Sequence, residues 1–203
     1  MPPPLGYLLT WTSYGTWLPG DRRGWVDKRA AGPGFPYQEP DPKREDRARN
    51  AMSEPPVLLD KPARQVVDAA IRRTCAYRGW IVHALNVRSN HAHIVVSPGD
   101  LSPGATMKVL KAYASRALNE ALATRGRKHW WTSSGSTKYL NSESSLFAAI
   151  RYVQEQDKAW MKGPLSPRRA PGRHLLARCE NRGRFRFPHA PTCDEKPPIS
   201  IGG

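Results

Sequence analysis

Residues 80–97 read WIVHALNVRSNHAHIVVS, and this stretch decides the fold. It holds two apolar, β-branched runs, 80–87 and 91–97, which are typical of short strands. Only Arg88-Ser89-Asn90 separates them, and so tight a connection predicts an antiparallel hairpin.

The sequence on either side predicts further strands and helices. Residues 5–14 are apolar and aromatic, as in another strand, and 129–140 predict a short extended pair around a glycine. Apolar residues at helical spacing predict three helices. These helices cover residues 61–79, 104–124 and 142–158. The order predicts an α+β fold, an antiparallel sheet with helices packed on it.

Two other segments predict little regular structure. Residues 18–60 are polar and proline-rich, and proline denies the backbone donors that regular structure needs. We therefore expect a long insertion loop within one domain that spans residues 1–160. Residues 161–203 are rich in proline and arginine, so we expect a basic tail that orders only on a polyanion.

The chain is strongly basic. Its 203 residues include 32 Lys and Arg against 17 Asp and Glu, which gives a formal net charge of +15 and a pI near 10.2. A protein this basic usually has a polyanionic partner, so nucleic acid is the leading candidate. An anionic membrane surface is the rival, but no basic amphipathic helix with a bulky apolar face is present.

The cysteines and the apolar runs indicate the compartment. Cys75, Cys179 and Cys193 are odd in number and lack the spacing of a zinc knuckle, as expected of a reduced cytoplasmic protein. The first residues lack the basic start of a signal peptide. No stretch approaches the ~18 apolar residues of a membrane span.

A histidine pair stands out on the second strand of the hairpin. Side chains alternate faces along a strand, so His91 and His93 point the same way, with Cα atoms about 6.5–7 Å apart. Two such imidazoles can converge on one divalent ion, while Ala92 faces the other side. With oxygen ligands added, the pair suits magnesium or manganese, and zinc remains open. A half-polar strand face without a metal is the alternative.

A tyrosine stands out on the third predicted helix. Tyr152 and Gln156 are four residues apart, which puts both on one face. A helical wheel places them beside the buried stripe rather than in it. That stripe consists of Leu146, Phe147, Ile150 and Val153. A phenol, with a pKa of about 10, becomes a useful nucleophile when a metal sits at the scissile phosphate. A partly buried surface tyrosine is the alternative.

Four blocks in this order resemble the single-tyrosine transposases of the HUH superfamily. The blocks are TWTSYGTWLPGDRRGWVD (10–27), NHAHIVVS (90–97), WWTSSGSTKYL (130–140) and AAIRYVQEQ (148–156). The branch they resemble most is that of the transposases associated with repetitive extragenic palindromes. The resemblance covers about residues 5 to 160.

The resemblance implies a fold, a site and a reaction. It implies a ferredoxin-like sheet with His91 and His93 on a central strand, Tyr152 as nucleophile and Gln156 completing the metal site. The implied reaction is transesterification on single-stranded DNA that carries hairpins, through a 5′-phosphotyrosyl link. Ala92 departs from the bulky hydrophobe that the superfamily prefers between the histidines. Small relatives are dimers, whereas this branch need not be, so monomer and homodimer both stay open.

Single-strand binding calls for basic side chains and aromatic stacking platforms. The candidates for DNA contact are Trp11, Tyr14, Trp17, Arg22, Arg23, Lys108, Lys111, Trp130, Trp131 and Lys138. The arginines of the tail, Arg168, Arg169, Arg182, Arg184 and Arg186, would add salt-sensitive affinity that is independent of sequence. Two alternatives to a cleaving enzyme remain: a DNA or RNA hairpin-binding module, and a metal-dependent phosphodiesterase that uses water.

Overall fold

The elements of the fold follow the order that the sequence predicts, with additions between the first strand and the first long helix. The computed structural model describes residues 3–27, 37–122 and 127–160. Within these residues the elements are β1 (Gly6–Thr12), β2 (Trp25–Val26), β3 (Tyr37–Gln38), α1 (Pro42–Asn50), α2 (Lys61–Tyr77), β4 (Ile81–Val87), β5 (His91–Ser97), α3 (Pro103–Ala121), β6 (Ser136–Leu140) and α4 (Glu143–Trp160).

Four strands form the main sheet in the order β4-β5-β1-β6, and each neighbouring pair is antiparallel. The predicted hairpin is β4 and β5, closed by a bond from the Arg88 amide to the His91 carbonyl of 2.8 Å. With α2 and α3 as crossovers, the chain runs β-α-β-β-α-β, which is the ferredoxin-like arrangement. The histidine strand β5 is therefore central, between β4 and β1.

The two faces of the sheet carry different layers. Alternation along β5 directs Ala92, Ile94 and Val96 into the larger core, which α2 and α3 cover. The opposite face carries Val95, which packs with Val153 of α4 in a smaller core. The histidine pair, in phase with Val95, belongs to the face on which α4 packs.

Local sequence sets where the helices begin and end. The Asp60 carboxylate accepts from the Ala63 amide at 2.8 Å, and the Ser102 hydroxyl accepts from the Ala105 amide at 3.3 Å, which caps α2 and α3. Gly79, at φ +67°, supplies the left-handed residue that lets the chain leave α2 and enter β4.

Two expectations about structure were wrong. Residues 18–60 are not one loop: they contain β2, β3 and α1, which Asp41 caps through the Arg44 amide at 3.0 Å. The segment folds because Trp25 is buried under it, with the Arg44 guanidinium 4.2 Å from its ring. Phe147 is not in the buried stripe but 58% exposed, because α4 meets the sheet along a narrow line.

The expected tail, residues 161–203, lies outside the described residues, and so do its arginines. No helix in the described part of the chain is long and apolar enough to cross a membrane.

Candidate active site

The two histidines of β5 lie side by side, as the alternation predicts. Their ring centroids are 4.6 Å apart, with the ring planes at 79°. His93 is buried, at 5% exposure, and His91 is half-buried. The arrangement presents two imidazoles to one small volume above the sheet.

Both histidines are neutral at ordinary pH. Burial lowers the pKa of His91 to about 4, helped by the positive charges of Arg88 and Arg23. Burial lowers the pKa of His93 to about 3, with His91 and Arg88 as further causes. A neutral imidazole is the form that can coordinate a metal ion, and the surroundings keep both rings in that form.

Each ring has a hydrogen-bonding partner at Nδ1. The Asn90 side-chain oxygen lies 2.7 Å from Nδ1 of His91, and an amide oxygen only accepts, so His91 carries its proton there. The Thr10 hydroxyl lies 2.8 Å from Nδ1 of His93. It faces His93 across the sheet because the two residues are paired on β1 and β5. With Nδ1 engaged in this way, Nε2 is the nitrogen that each ring would offer to a metal ion.

Tyr152 lies next to this pair. Its ring centroid is 5.6 Å from that of His93, with the planes at 82°, and the residue is 38% exposed. The wheel was right to place it beside the buried stripe, since Val153 is the fully buried neighbour. A half-exposed phenol beside two neutral imidazoles can reach a substrate from solvent.

Helix α4 is tied to β4 by side chains that bond to its backbone. The buried Asn86 amide donates to the Val153 carbonyl at 3.1 Å. Arg88 donates to the Gln156 carbonyl at 2.8 Å. These contacts bring the end of α4, with Gln156 one turn beyond Tyr152, over the strand that neighbours the histidines.

The loop after β1 adds basic side chains beside the site. Thr16 donates from its hydroxyl to the Asn90 carbonyl at 3.3 Å, which joins this loop to the turn before His91. Arg22 is exposed, and Arg23 is close enough to contribute to the lowered pKa of His91. Arg23 also bonds Asp21 through Nε at 2.7 Å, so a buried carboxylate fixes its direction.

Three of the predicted stacking platforms are core residues. Trp11 is 1% exposed, Trp130 6% and Trp131 8%, and all three belong to the core under α2 and α3. Trp11 and Trp131 pack edge to face with centroids 6.2 Å apart. Their prediction as base-stacking rings was wrong for a physical reason: a ring without accessible surface has no face to offer a base.

Other predicted DNA contacts remain accessible but are scattered. Trp17 is 37% exposed and lies under the Arg23 guanidinium, while the half-buried Tyr14 stacks on His129 with centroids 5.2 Å apart. Lys138 is exposed on β6. These side chains stay candidates for DNA contact.

The two lysines of α3 differ from each other. Lys108 is exposed, but α3 covers the face of the sheet opposite the histidines. Lys111 donates to the carbonyls of Thr132 and Ser134 at 2.9 and 3.0 Å, so it supports the chain that leads into β6.

Sequence reasoning missed the residues that hold the site together. Thr10, Asn86 and Arg88 give no signal along the chain, because each acts across a strand pairing or a helix contact. Asn90 directly precedes His91, and its short amide side chain at that position was a usable signal. In the part of the chain that the structure describes, no third His, Cys, Asp or Glu joins the two histidines in a metal-sized cluster.

Comparison with known proteins gives a family match and two structural likenesses. The family sequence model described as "Transposase IS200 like" matches residues 54–156, about half of the 203-residue chain. That segment contains His91, His93, Tyr152 and Gln156. No curated protein sequence matches the chain significantly.

Two solved structures are similar to the chain. One is described as the crystal structure of a candidate transposase from Deinococcus radiodurans R1, with 17% identity, 77% of this chain and 93% of that chain covered, and a TM-score of 0.42. The other is a REP-associated tyrosine transposase bound to a REP hairpin, with 12% identity, 77% of this chain and 69% of that one covered, and a TM-score of 0.45.

Proposed function

Because the chain belongs to the IS200-like transposase family, we propose that it cleaves and rejoins single-stranded DNA with Tyr152 as the nucleophile. One observation carries the proposal: the Tyr152 ring lies 5.6 Å from the ring of His93 in the same chain. The site thus combines a partly exposed phenol with a pair of neutral imidazoles, and arginines border it. A binding surface alone has no need of this combination.

The reaction is a transesterification at one phosphodiester. The Tyr152 oxygen attacks phosphorus and forms a new P–O bond, while the bond to the 3′ oxygen breaks. The phenol gives up one proton and the departing 3′ oxygen gains one, so the step is balanced. The DNA 5′-phosphate remains on the tyrosine, and attack by another 3′-hydroxyl reverses the step and rejoins the strand.

The residues present fit a divalent cation. His91 and His93 are neutral, with Nδ1 of each ring engaged, and the Gln156 amide is the third protein ligand that we propose. Magnesium or manganese, working on phosphate oxygens, suits a site completed by oxygen ligands. When bound, the cation would polarise a phosphoryl oxygen and neutralise charge that develops there.

The substrate that we propose is single-stranded DNA with hairpins. The net charge of +15 favours a polyanion, and Arg22, Arg23 and Trp17 lie on the loop that contacts the turn before His91. Tyr152 of α4 packs on His93, so we propose a monomer as the minimal active unit, with a homodimer as the alternative.

A covalent-trapping gel tests the nucleophile. The protein is mixed with labelled single-stranded hairpin oligonucleotides and manganese, denatured, and compared with Tyr152→Phe. We expect a labelled protein band that Tyr152→Phe abolishes while hairpin binding persists. Tyr113→Phe is the matched control, because Tyr113 is also 38% exposed but lies on α3. Cleavage by Tyr152→Phe at the normal rate would mean that water is the nucleophile.

A second experiment tests the metal assignment. His91→Ala is expected to remove metal-stimulated cleavage and to weaken manganese binding measured by calorimetry, with hairpin affinity retained. Activity that neither His91→Ala nor a chelator changes would exclude the metal role. Binding without any covalent product in the wild-type protein would instead indicate a hairpin-binding module.

A further inference from the structure

The nucleophile helix α4 has a small apolar contact with the sheet. Within residues 143–156, the part of α4 whose burial the structure describes, Ala149 and Val153 are buried, while Leu146 and Ile150 are only partly buried. Apolar contact is non-directional, so a short stripe of this kind holds a helix on a sheet without fixing how it slides or rotates. One residue of slip would move Tyr152 by about 1.5 Å along the axis and turn it by about 100°.

The apolar contact leaves the rotation of α4 and its position along its own axis undetermined. Two polar side chains at the edge strand β4 restrict both. Asn86 donates to the carbonyl of Val153, the residue directly after Tyr152, and Arg88 donates to the carbonyl of Gln156. Both bonds reach the backbone of α4, so they hold the helix itself and not a movable side chain. Hydrogen bonds depend strongly on angle, and the two contacts lie three residues apart along the helix.

The position of Asn86 links the helix to the histidines. Asn86 is paired with His93 across β4 and β5, and its side chain is buried on the face that α4 covers. A buried amide that lost its partner would be left without a hydrogen bond away from water, which is unfavourable, so the bond to Val153 favours one position of the helix over others.

We propose that Asn86 and Arg88 are positioning residues that set the placement of Tyr152 relative to His93 by holding the backbone of α4. The inference rests on the proposed function of Tyr152. Neither residue is assigned a contact with DNA. Asn86 is the better residue for testing the anchor, because its side chain is uncharged and its replacement leaves the charge around the site unchanged. Loss of the anchor should leave DNA binding and both histidine ligands in place, lower metal affinity only as far as the proposed Gln156 ligand contributes, and impair the chemical step.

The test uses Asn86→Ala in the full chain, with Gln154→Ala as control because Gln154 is an exposed amide on the same helix. The first readout is the rate of covalent adduct formation in a single turnover. Misplacing a reacting group by about 1 Å can cost about 100-fold, so we expect a loss of about tenfold or more for Asn86→Ala and none for Gln154→Ala. Hairpin affinity is expected to stay at the wild-type value, and manganese affinity is expected to fall no further than it does in Gln156→Ala.

The second readout is a distance that needs no DNA. Spin labels are placed through Glu120→Cys on α3 and Glu155→Cys on α4, with Cys179→Ser and Cys193→Ser as background. Cys75 stays unlabelled because it is buried, and burial raises the pKa of its thiol to about 11. Asn86→Ala should broaden or shift the distribution of distances between the labels, and Gln154→Ala should not.

The outcomes separate this inference from the function on which it rests. An unchanged distance distribution together with an unchanged adduct rate overturns the anchor. A manganese affinity that falls further than in Gln156→Ala also overturns it, because Asn86 would then act through His93. If Asn86→Ala does not fold, Arg88→Lys is measured in its place, because Arg88 is half-buried and lysine keeps the charge. The adduct rate and the distance distribution are then interpreted in the same way. If the wild-type protein forms no adduct, the proposed function fails, while the distances still show whether α4 is anchored.

Discussion

Replacing Thr10 by valine removes one hydroxyl and almost nothing else. The Thr10 hydroxyl lies 2.8 Å from Nδ1 of His93, and β1 holds it there through its pairing with β5. Valine has nearly the same shape and the same preference for a strand, so the sheet should be undisturbed. The change leaves the ring of His93 free to rotate or to carry its proton on Nε2, the nitrogen needed for a metal.

The expected size of the effect follows from the role of such partners. Mutation of a group that hydrogen-bonds a metal-bound histidine typically costs about 10–100-fold in metal affinity or activity. That is about 1.4–2.7 kcal/mol of binding free energy. His93 is 5% exposed, so water does not readily replace the lost hydroxyl, and we expect the upper part of that range.

Calorimetric titration with manganese measures this loss directly, and the adduct rate at subsaturating manganese provides a second reading. Thr12→Val is the matched control, because Thr12 is paired with His91 as Thr10 is with His93, but its hydroxyl donates to that of Thr132 at 3.2 Å. Thr10→Ser should restore most of the affinity. A Thr10→Val protein that binds manganese as tightly as the wild type would refute the argument that this hydroxyl orients His93.

Two further predictions concern the loop and the aromatic rings. Burial alone would raise the pKa of Asp21, but the hydrogen bonds and charge of Arg23, with Arg22, lower it overall. The pair therefore contributes stability above about pH 4 and loses it as the pH falls through the folded-state pKa. Arg23→Ala should lower the free energy of unfolding, measured in urea, by about 1–3 kcal/mol at neutral pH and by less in acid. A difference between variant and wild type that does not change with pH would contradict the ion pair. Trp11→Ala should lower the free energy of unfolding by about 3–5 kcal/mol. Trp17→Ala should weaken hairpin binding in a shift assay with little change in stability. The reverse pattern would contradict the burial of the two rings.

The hairpin and the long helices were predictable because their signals are local. Residues 80–97 alternate or run apolar as strands do, and β5 covers the predicted 91–97. The beginning of α2 has a capping aspartate and a proline in its first turn, and its end has a glycine. The elements between 18 and 60 were missed because proline content was weighed above the capping signal at Asp41.

The aromatic residues show where sequence reasoning runs out. Trp11 and Trp17 are six residues apart with similar neighbours, yet one is 1% exposed and the other 37%. The difference arises because β1 is a central strand covered by α3, while Trp17 lies on the loop beyond it. The burial of a single ring depends on how the sheet and the helices pack together, so a short stretch of sequence does not predict it.

The sequence by itself determined the secondary structure of the sheet and its helices, the common face of His91 and His93, and the position of Tyr152 beside a buried stripe. These follow from the period of two in strands and of 3.6 in helices, which any window of the chain displays. Only the tertiary structure decided that Tyr152 contacts His93, and that Thr10 bonds His93 while Asn86 and Arg88 bond the backbone of α4. Those contacts join residues far apart along the chain, and strand order, register and helix seating are set by the packing of the whole domain.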